Sequence, residues 1–225
     1  MDKLISGNLE WGKVAADLEA EKLKLKSYDA PLLDRLGNVD GKRILDYGSG
    51  PGILALALAR LGADVRAFDI DPEMISLAGQ KIGDDRVYKT HQEIPQDNFD
   101  FVICNLVVCI NPEEEVRRIA QNIRNELGKD GRAYTGFCNP LIFDVPESQL
   151  DFRFPTGDSY RENHRYKKIK KEGPYEIIED HRPIEWYQDV FRESGLIVLD
   201  TFFTPEYEFG GRKIKDFVIL ELERR

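Results

Sequence analysis

A chain of 225 residues, 41% hydrophobic and 32% charged, is long enough to bury one substantial core. At a mean hydropathy of -0.45 it is polar, and no apolar run approaches the roughly 18 residues a membrane helix needs. A net charge of -9 excludes wholesale attraction to nucleic acid, though not a local basic patch.

The opening Met1–Gly7 has no basic region followed by an apolar stretch, so no secretory leader is expected. Cys104, Cys109 and Cys138 form an odd set without a CxxC pair. That speaks against a disulfide framework or a zinc ribbon and for a reducing, cytoplasmic setting. His91, His164 and His181 are scattered and fit no standard metal spacing, so no metal is expected.

In chain order, the first forty residues have a helical pattern. Leu9, Trp11, Val14, Ala15, Leu18, Leu23, Leu25 and Tyr28 lie among Lys and Glu, and Leu32, Leu33 and Leu36 follow Pro31 before a Gly37-Asn38 stop. A compact alternation follows. Strands are expected at 43–46, 65–69, 99–104 and 131–137, and helices at 53–61, 72–81 and 112–127. Helices of this length between strands imply right-handed crossovers and a mainly parallel sheet. The rhythm breaks over 140–182, rich in Pro, Tyr and charge, where Gly173-Pro174 is expected to turn between two extended stretches. It resumes with a helix at 184–193 and strands at 196–203 and 216–222, which a short Gly210-Gly211 segment should join as an antiparallel pair at one sheet edge. The organisation is an N-terminal helical extension or lid over 1–40, an α/β domain from 41–139 and 183–225, and an insertion at 140–182 suited to covering an acceptor site.

The stretch Ile44-Leu45-Asp46-Tyr47-Gly48-Ser49-Gly50-Pro51-Gly52 sits at a strand end and opens a helix. Gly48 and Gly50 let the backbone turn and admit a ligand, Gly52 lets helix and strand approach, and Pro51 suits a first helical turn. The spacing is neither the GxxxxGK[ST] of a phosphate loop nor the GxGxxG of a dinucleotide site. Asp46, just before the glycines, would repel a pyrophosphate and suits a cationic head. The next strand ends in Asp69, roughly 20 residues on, where a carboxylate can accept from both ribose hydroxyls. Asp71 before Pro72 is placed to cap the following helix. The pocket therefore wants an unphosphorylated nucleoside bearing positive charge.

At these residues the sequence resembles the class I S-adenosylmethionine-dependent methyltransferases, over about residues 40–138 and again 181–222. "ILDYGSGPG" is similar to the family's first motif and "VRAFDIDPEMI" to its second. The resemblance implies a doubly wound, mainly parallel seven-stranded sheet with an antiparallel edge strand and helices on both faces, a Rossmann-like methyltransferase fold. It implies S-adenosyl-L-methionine as cofactor, with Asp46, Gly48, Ser49, Gly50 and Gly52 around its methionine portion, Asp69 on the ribose, and Ile70 and Met74 flanking the adenine. The family's adenine-edge segment falls at Thr90-His91-Gln92, here without the usual acidic residue. "FDFVICNLVVCI" places Asn105 and Leu106 beside the sulfonium.

Methyl transfer from a sulfonium needs alignment and exclusion of water more than a strong base. His181 is either a general base near the acceptor or a histidine fixing the chain's return to the sheet. His91 is either a ligand contact or a solvated loop residue. The tract Arg161–Lys171 is either a phosphate-greeting basic surface or the solvent side of a hairpin balanced by Glu172, Glu176, Glu179 and Asp180. The expected function is a methyltransferase acting on a small molecule more readily than on nucleic acid, with no membrane partner. A tRNA or rRNA methyltransferase using the basic tract, or a catalytically silent nucleoside-binding protein, are the alternatives. The sequence does not name the acceptor or the oligomeric state.

Overall fold

Ile44-Leu45, Val102-Ile103 and Val218-Ile219-Leu220 place consecutive apolar side chains on opposite faces of a strand, so a sheet built from them must be covered twice. The computed structural model, which describes residues 14, 16, 18, 25–172 and 175–225, has both covers. The helical pattern around Leu9, Trp11 and Leu23 and the expected Gly173-Pro174 turn lie outside the described residues.

A π-helical turn at Leu25–Asp29 leads into α1 (Ala30–Leu36). There follow β1 (Arg43–Tyr47), α2 (Ile53–Arg60), β2 (Asp64–Phe68), α3 (Pro72–Ile82), β3 (Val87–Tyr88), β4 (Phe99–Asn105), α4 (Glu113–Glu126) and β5 (Leu127–Cys138). The second half adds β6 (Asp151–Phe154), β7 (His164–Lys170), β8 (Glu176–His181), α5 (Ile184–Glu193), β9 (Leu196–Phe203), β10 (Tyr207–Phe209), β11 (Arg212–Ile214) and β12 (Phe217–Arg224).

Seven strands form one sheet in the order β3-β2-β1-β4-β5-β12-β9. The first five run parallel, while β12 runs against both β5 and β9. The closing pair lies at one edge as expected, but the reversed strand sits one place in and β9 is the edge itself. Gly210-Gly211, with φ of 58° and 74°, does not join the two closing strands directly. It turns a separate small hairpin, β10–β11, inserted between them. Strand β5 starts four residues earlier than expected, because Leu127 pairs with Phe99 and a register shift absorbs the segment up to Arg132.

One face is packed by α4 and α5, whose Val116, Ile119, Ile123, Tyr187 and Phe191 meet Leu45, Val102 and Phe137. The other is packed by α1, α2 and α3, whose Leu32, Leu54, Leu58 and Ala78 meet Ile44, Val65, Ile103 and Ile219. Chain order reverses between β1 and β4: β1 continues to β2 on one side and receives β4 on the other. In such sheets the crevice beyond the strand ends opens at that switch point.

The 140–182 insertion forms its own antiparallel sheet, β6-β7-β8. Along β7 the inward positions are Tyr166, Lys168 and Lys170, so two lysines expected on the solvent side are buried. Lys168 lies 3.0 Å from Asp151 and 2.9 Å from Glu179, and Arg153 lies 2.8 Å from Asp151 and 3.2 Å from Asp216. Among the described residues no helix is long and apolar enough to cross a membrane.

Candidate active site at the switch point

The loop after β1 is held from β2. Gly48 and Ser49 donate backbone N–H bonds to Phe68 O at 2.8 and 3.0 Å, and Gly50 N donates to Asp69 Oδ2 at 2.8 Å. Gly50 has a φ of 53°, and a Cβ there would meet no atom within 4 Å, so the loop opens onto empty space. Gly52 has a different task from the one its position suggested. A Cβ on it would stand 2.9 Å from Ala78 Cα, so it lets α2 approach helix α3 and not a strand. Pro51 precedes the Gly52 cap and is outside the first helical turn.

Asp69 is already engaged. Besides Gly50 N it accepts from Ile70 N at 2.8 Å and Asp71 N at 3.0 Å through Oδ1. Burial raises its pKa while the three backbone donors pull it back. Asp71 caps α3, accepting from Glu73 N at 2.9 Å and Met74 N at 3.1 Å. Asp46, at the end of β1, is 3% exposed.

A cavity of about 860 Å³ opens here. Of the residues singled out in the sequence, Asp46, Gly48, Ser49, Gly50, Asp69, Ile70, Met74, His91, Gln92, Asn105 and Leu106 all border it. Gly52 stands behind it. Leu106 has a φ of 60°, a left-handed conformation that a leucine adopts only under constraint, and its N–H is tied to Gly136 O at 2.8 Å.

His181, read as either a general base or a histidine fixing the chain's return, is not among the residues lining this cavity. Its Nε2 lies 2.9 Å from Tyr160 O, and its ring stacks on His164 at 4.5 Å. Burial, with the neighbouring His164, lowers its pKa despite the Tyr160 carbonyl. It faces a void of only about 10 Å³, just before the start of α5.

Two supporting residues were missed in the sequence. Tyr28, fully buried, donates from its hydroxyl to Asn105 Oδ1 at 2.6 Å. It reaches there over Gly136, where a Cβ would stand 1.5 Å from the hydroxyl. Glu126, 1% exposed, sits 3.3 Å from His91 Nδ1. Its signal was a carboxyl on the apolar stripe Val116-Ile119-Ile123 of α4. The insertion, read from the sequence as a cover for the acceptor site, contributes Arg165, Lys170, Tyr175, Ile177 and Glu179 to the wall.

At the insertion's base the ligand atoms of Cys109, Cys138 and Glu179 lie within 4.8 Å of one another, a grouping hidden by sequence spacing. Lys168 Nζ stands among them, 3.1 Å from Cys138 Sγ and 2.9 Å from Glu179 Oε1, so a cation is already built in. The Cys109 thiol and burial push the Cys138 thiol up.

Comparison with known proteins follows the same lines. A profile of the methyltransferase domain family matches residues 21–172. A trans-aconitate 2-methyltransferase of Mycolicibacterium gilvum is 28% identical over 190 residues, covering 81% of this chain and 70% of that protein. A ribosomal protein L11 methyltransferase of Helicobacter hepaticus is 29% identical over 126 residues, and there the match spans 51% of this chain and only 38% of the relative. A crystal structure of an S-adenosylmethionine-dependent methyltransferase from Mesorhizobium loti superposes with a TM-score of 0.65 over 89% of this chain and all of that one. At 19% identity, that likeness speaks to the fold alone. The match to the family profile extends over more than half of the chain: it belongs to the methyltransferase domain family, within the class I S-adenosylmethionine-dependent methyltransferases.

Proposed function

We propose that this chain transfers the methyl group of S-adenosylmethionine to a small-molecule acceptor held between the C-terminal end of the parallel sheet and the 140–182 insertion. One observation carries the reading. The glycine loop, Asp69 and the insertion residues Tyr175, Ile177 and Glu179 border one cavity of about 860 Å³, within the range of small-molecule sites.

The residues fit the cofactor. Open space at Gly50 leaves room for its main body, and Asp46 and Asp69 offer two anions to a ribose diol and a cationic amino-acid tail. Bound there, S-adenosylmethionine supplies an electrophilic methyl group on a good leaving group. In this reading Asp69 meets the diol through Oδ2, which keeps the one lone pair left over from its three backbone bonds. Gly48, Ser49 and Gly50 cradle the tail, and Ile70, Met74, His91 and Gln92 take the adenine. Gly52 shapes the loop from behind. Asn105, oriented by Tyr28, and Leu106 border the place of transfer, and the insertion excludes water. No general base is assigned, because positioning suffices for an acceptor that is already ionised.

A small acceptor is favoured over RNA by the state of the basic tract. Arg165 pairs with Asp180 at 2.8 Å, Lys167 with Glu176 at 3.2 Å, and Lys171 with Glu147 at 2.6 Å. Cations matched in this way offer little to a phosphate backbone. The relative named for trans-aconitate agrees with a small acceptor.

The test is calorimetry with S-adenosylhomocysteine, then transfer of labelled methyl to a metabolite extract, to total RNA and to ribosomal protein. Binding with label in the metabolite fraction is expected. Absence of binding would overturn the cofactor assignment, and label confined to RNA or protein would overturn the acceptor class.

A further inference from the structure

The adenine-edge segment Thr90-His91-Gln92 carries no acid, yet an acid stands behind it. Glu126 ends α4 at 1% exposure, with Oε1 3.3 Å from His91 Nδ1. The two atoms are close without being aligned as a hydrogen bond, and neither has another partner among the described residues. A carboxyl in the last turn of a helix opposes the macrodipole, and burying one is costly. Val116, Ile119 and Ile123 on the same stripe show what packing alone would place there. The His91 side chain is 34% exposed and borders the cavity, with its Nδ1 edge turned inward. Its ring leans against Phe68 and Tyr47, with centroids 6.2 and 6.3 Å away.

We infer that Glu126 sets the tautomer of His91, and through it decides that the site accepts a purine carrying a 6-amino group. The inference rests on the cofactor reading above. Ionised Glu126 takes the Nδ1–H of His91 and leaves the Nε2 lone pair facing the cavity, an acceptor for an exocyclic amine. Protonated Glu126 donates to Nδ1 instead, so Nε2 carries the hydrogen and meets the amine donor to donor. Glu126 is thus a positioning residue that supplies the missing acid from the second row.

Burial pushes the Glu126 carboxyl up to about 8 and the His91 imidazolium down. The other titratable groups facing Glu126 are Tyr47 on β1 and Cys104 on β4, both pushed up by burial and neutral throughout the working range. The proton exchanged is therefore Glu126's own. Binding of a 6-amino purine releases it to solvent, and affinity for that purine rises with pH.

The experiment is calorimetry with S-adenosylhomocysteine and with its analogue lacking the 6-amino group, between about pH 6.5 and 9. Both ligands carry the same amino-acid tail, so tail titration cancels in the ratio of their dissociation constants. The preference for the amino ligand should grow about tenfold over that interval in the natural protein and stay flat in Glu126→Gln. Nitrogen NMR of the three histidines provides a readout free of any variant or ligand, since the His91 tautomer should change near pH 8. A preference independent of pH, or one whose pH dependence survives in Glu126→Gln, would overturn the inference. So would a His91 ring that keeps one tautomer throughout. Failure of S-adenosylhomocysteine to bind at every pH would instead overturn the cofactor reading.

Discussion

Replacing Glu126 by glutamine also tests the burial of that carboxyl through stability alone. Burial raises its pKa from 4.5 to about 8. A folded-state pKa above the unfolded one means that the native protein holds the proton more tightly. The stability associated with the neutral acid is then complete below about pH 4.5, falls as pH rises toward 8, and is flat above. At about 1.4 kcal/mol per unit, a rise of that size sets a ceiling of about 5 kcal/mol, and relaxation or water entry lowers it toward 2. Glutamine keeps the shape and carries no charge to desolvate. Urea denaturation followed by tryptophan fluorescence should find the two proteins nearly equal at pH 5. The glutamine variant should be about 2–5 kcal/mol more stable at pH 9. The lowered pKa of His91 acts at the acid end, where protonation of its desolvated ring opposes folding, and it does so in both proteins. A difference constant across pH, or a glutamine variant weaker at pH 9, would refute the reasoning.

Gly50→Val keeps the fold at a strain cost of about 1–2 kcal/mol, because only its φ of 53° resists a side chain, and it should abolish binding of S-adenosylhomocysteine by calorimetry. Asp69→Asn replaces one acceptor oxygen by a donor facing backbone N–H groups. It should cost about 1–3 kcal/mol in a thermal or urea melt and weaken the same ligand about tenfold, whereas unchanged affinity would move the ribose elsewhere. Lys168→Met leaves Asp151 and Glu179 buried without their ammonium and should cost about 3–5 kcal/mol by urea denaturation. Against the opposing effect of burial, Lys168 and Arg153 hold Asp151 below the usual carboxylate range. In the natural protein that contribution is therefore present at neutral pH and lost only on strong acidification, and in Lys168→Met it should be diminished.

The glycine loop and both aspartates were legible because each sits where a strand ends and a helix begins, so position along the chain fixes position in space. The same holds for Asn105 and Leu106 at the end of β4. Tyr28 was not legible as more than one apolar residue in a helical pattern. Its hydroxyl acts 77 residues away on Asn105, and the notch that admits it is a glycine in β5. Glu126 was visible only as a polar residue on an apolar stripe, a hint that needs His91 beside it to acquire meaning. In β7 the alternation was present but inverted. Lys168 and Lys170 occupy the buried phase, which local sequence reads as solvent, because the carboxylates that compensate Lys168 arrive from β6 and β8.

That inverted strand bears on how the insertion meets the rest of the site. Buried ion pairs add little net stability over apolar packing, but their partners tolerate only one arrangement, since any slip strands a desolvated charge. An apolar seam would let the small sheet slide over the strand ends. The Lys168, Arg153, Asp151, Glu179 and Asp216 network, with Tyr166 donating to Glu179 at 2.6 Å, fixes it instead. Glu179 and Cys138 belong both to this network and to the cavity wall. A change of acceptor preference made through either one would loosen the attachment of the insertion as well. On the proposed reading, acceptor choice therefore falls to wall residues outside the network, such as Ile177 on β8 of the insertion.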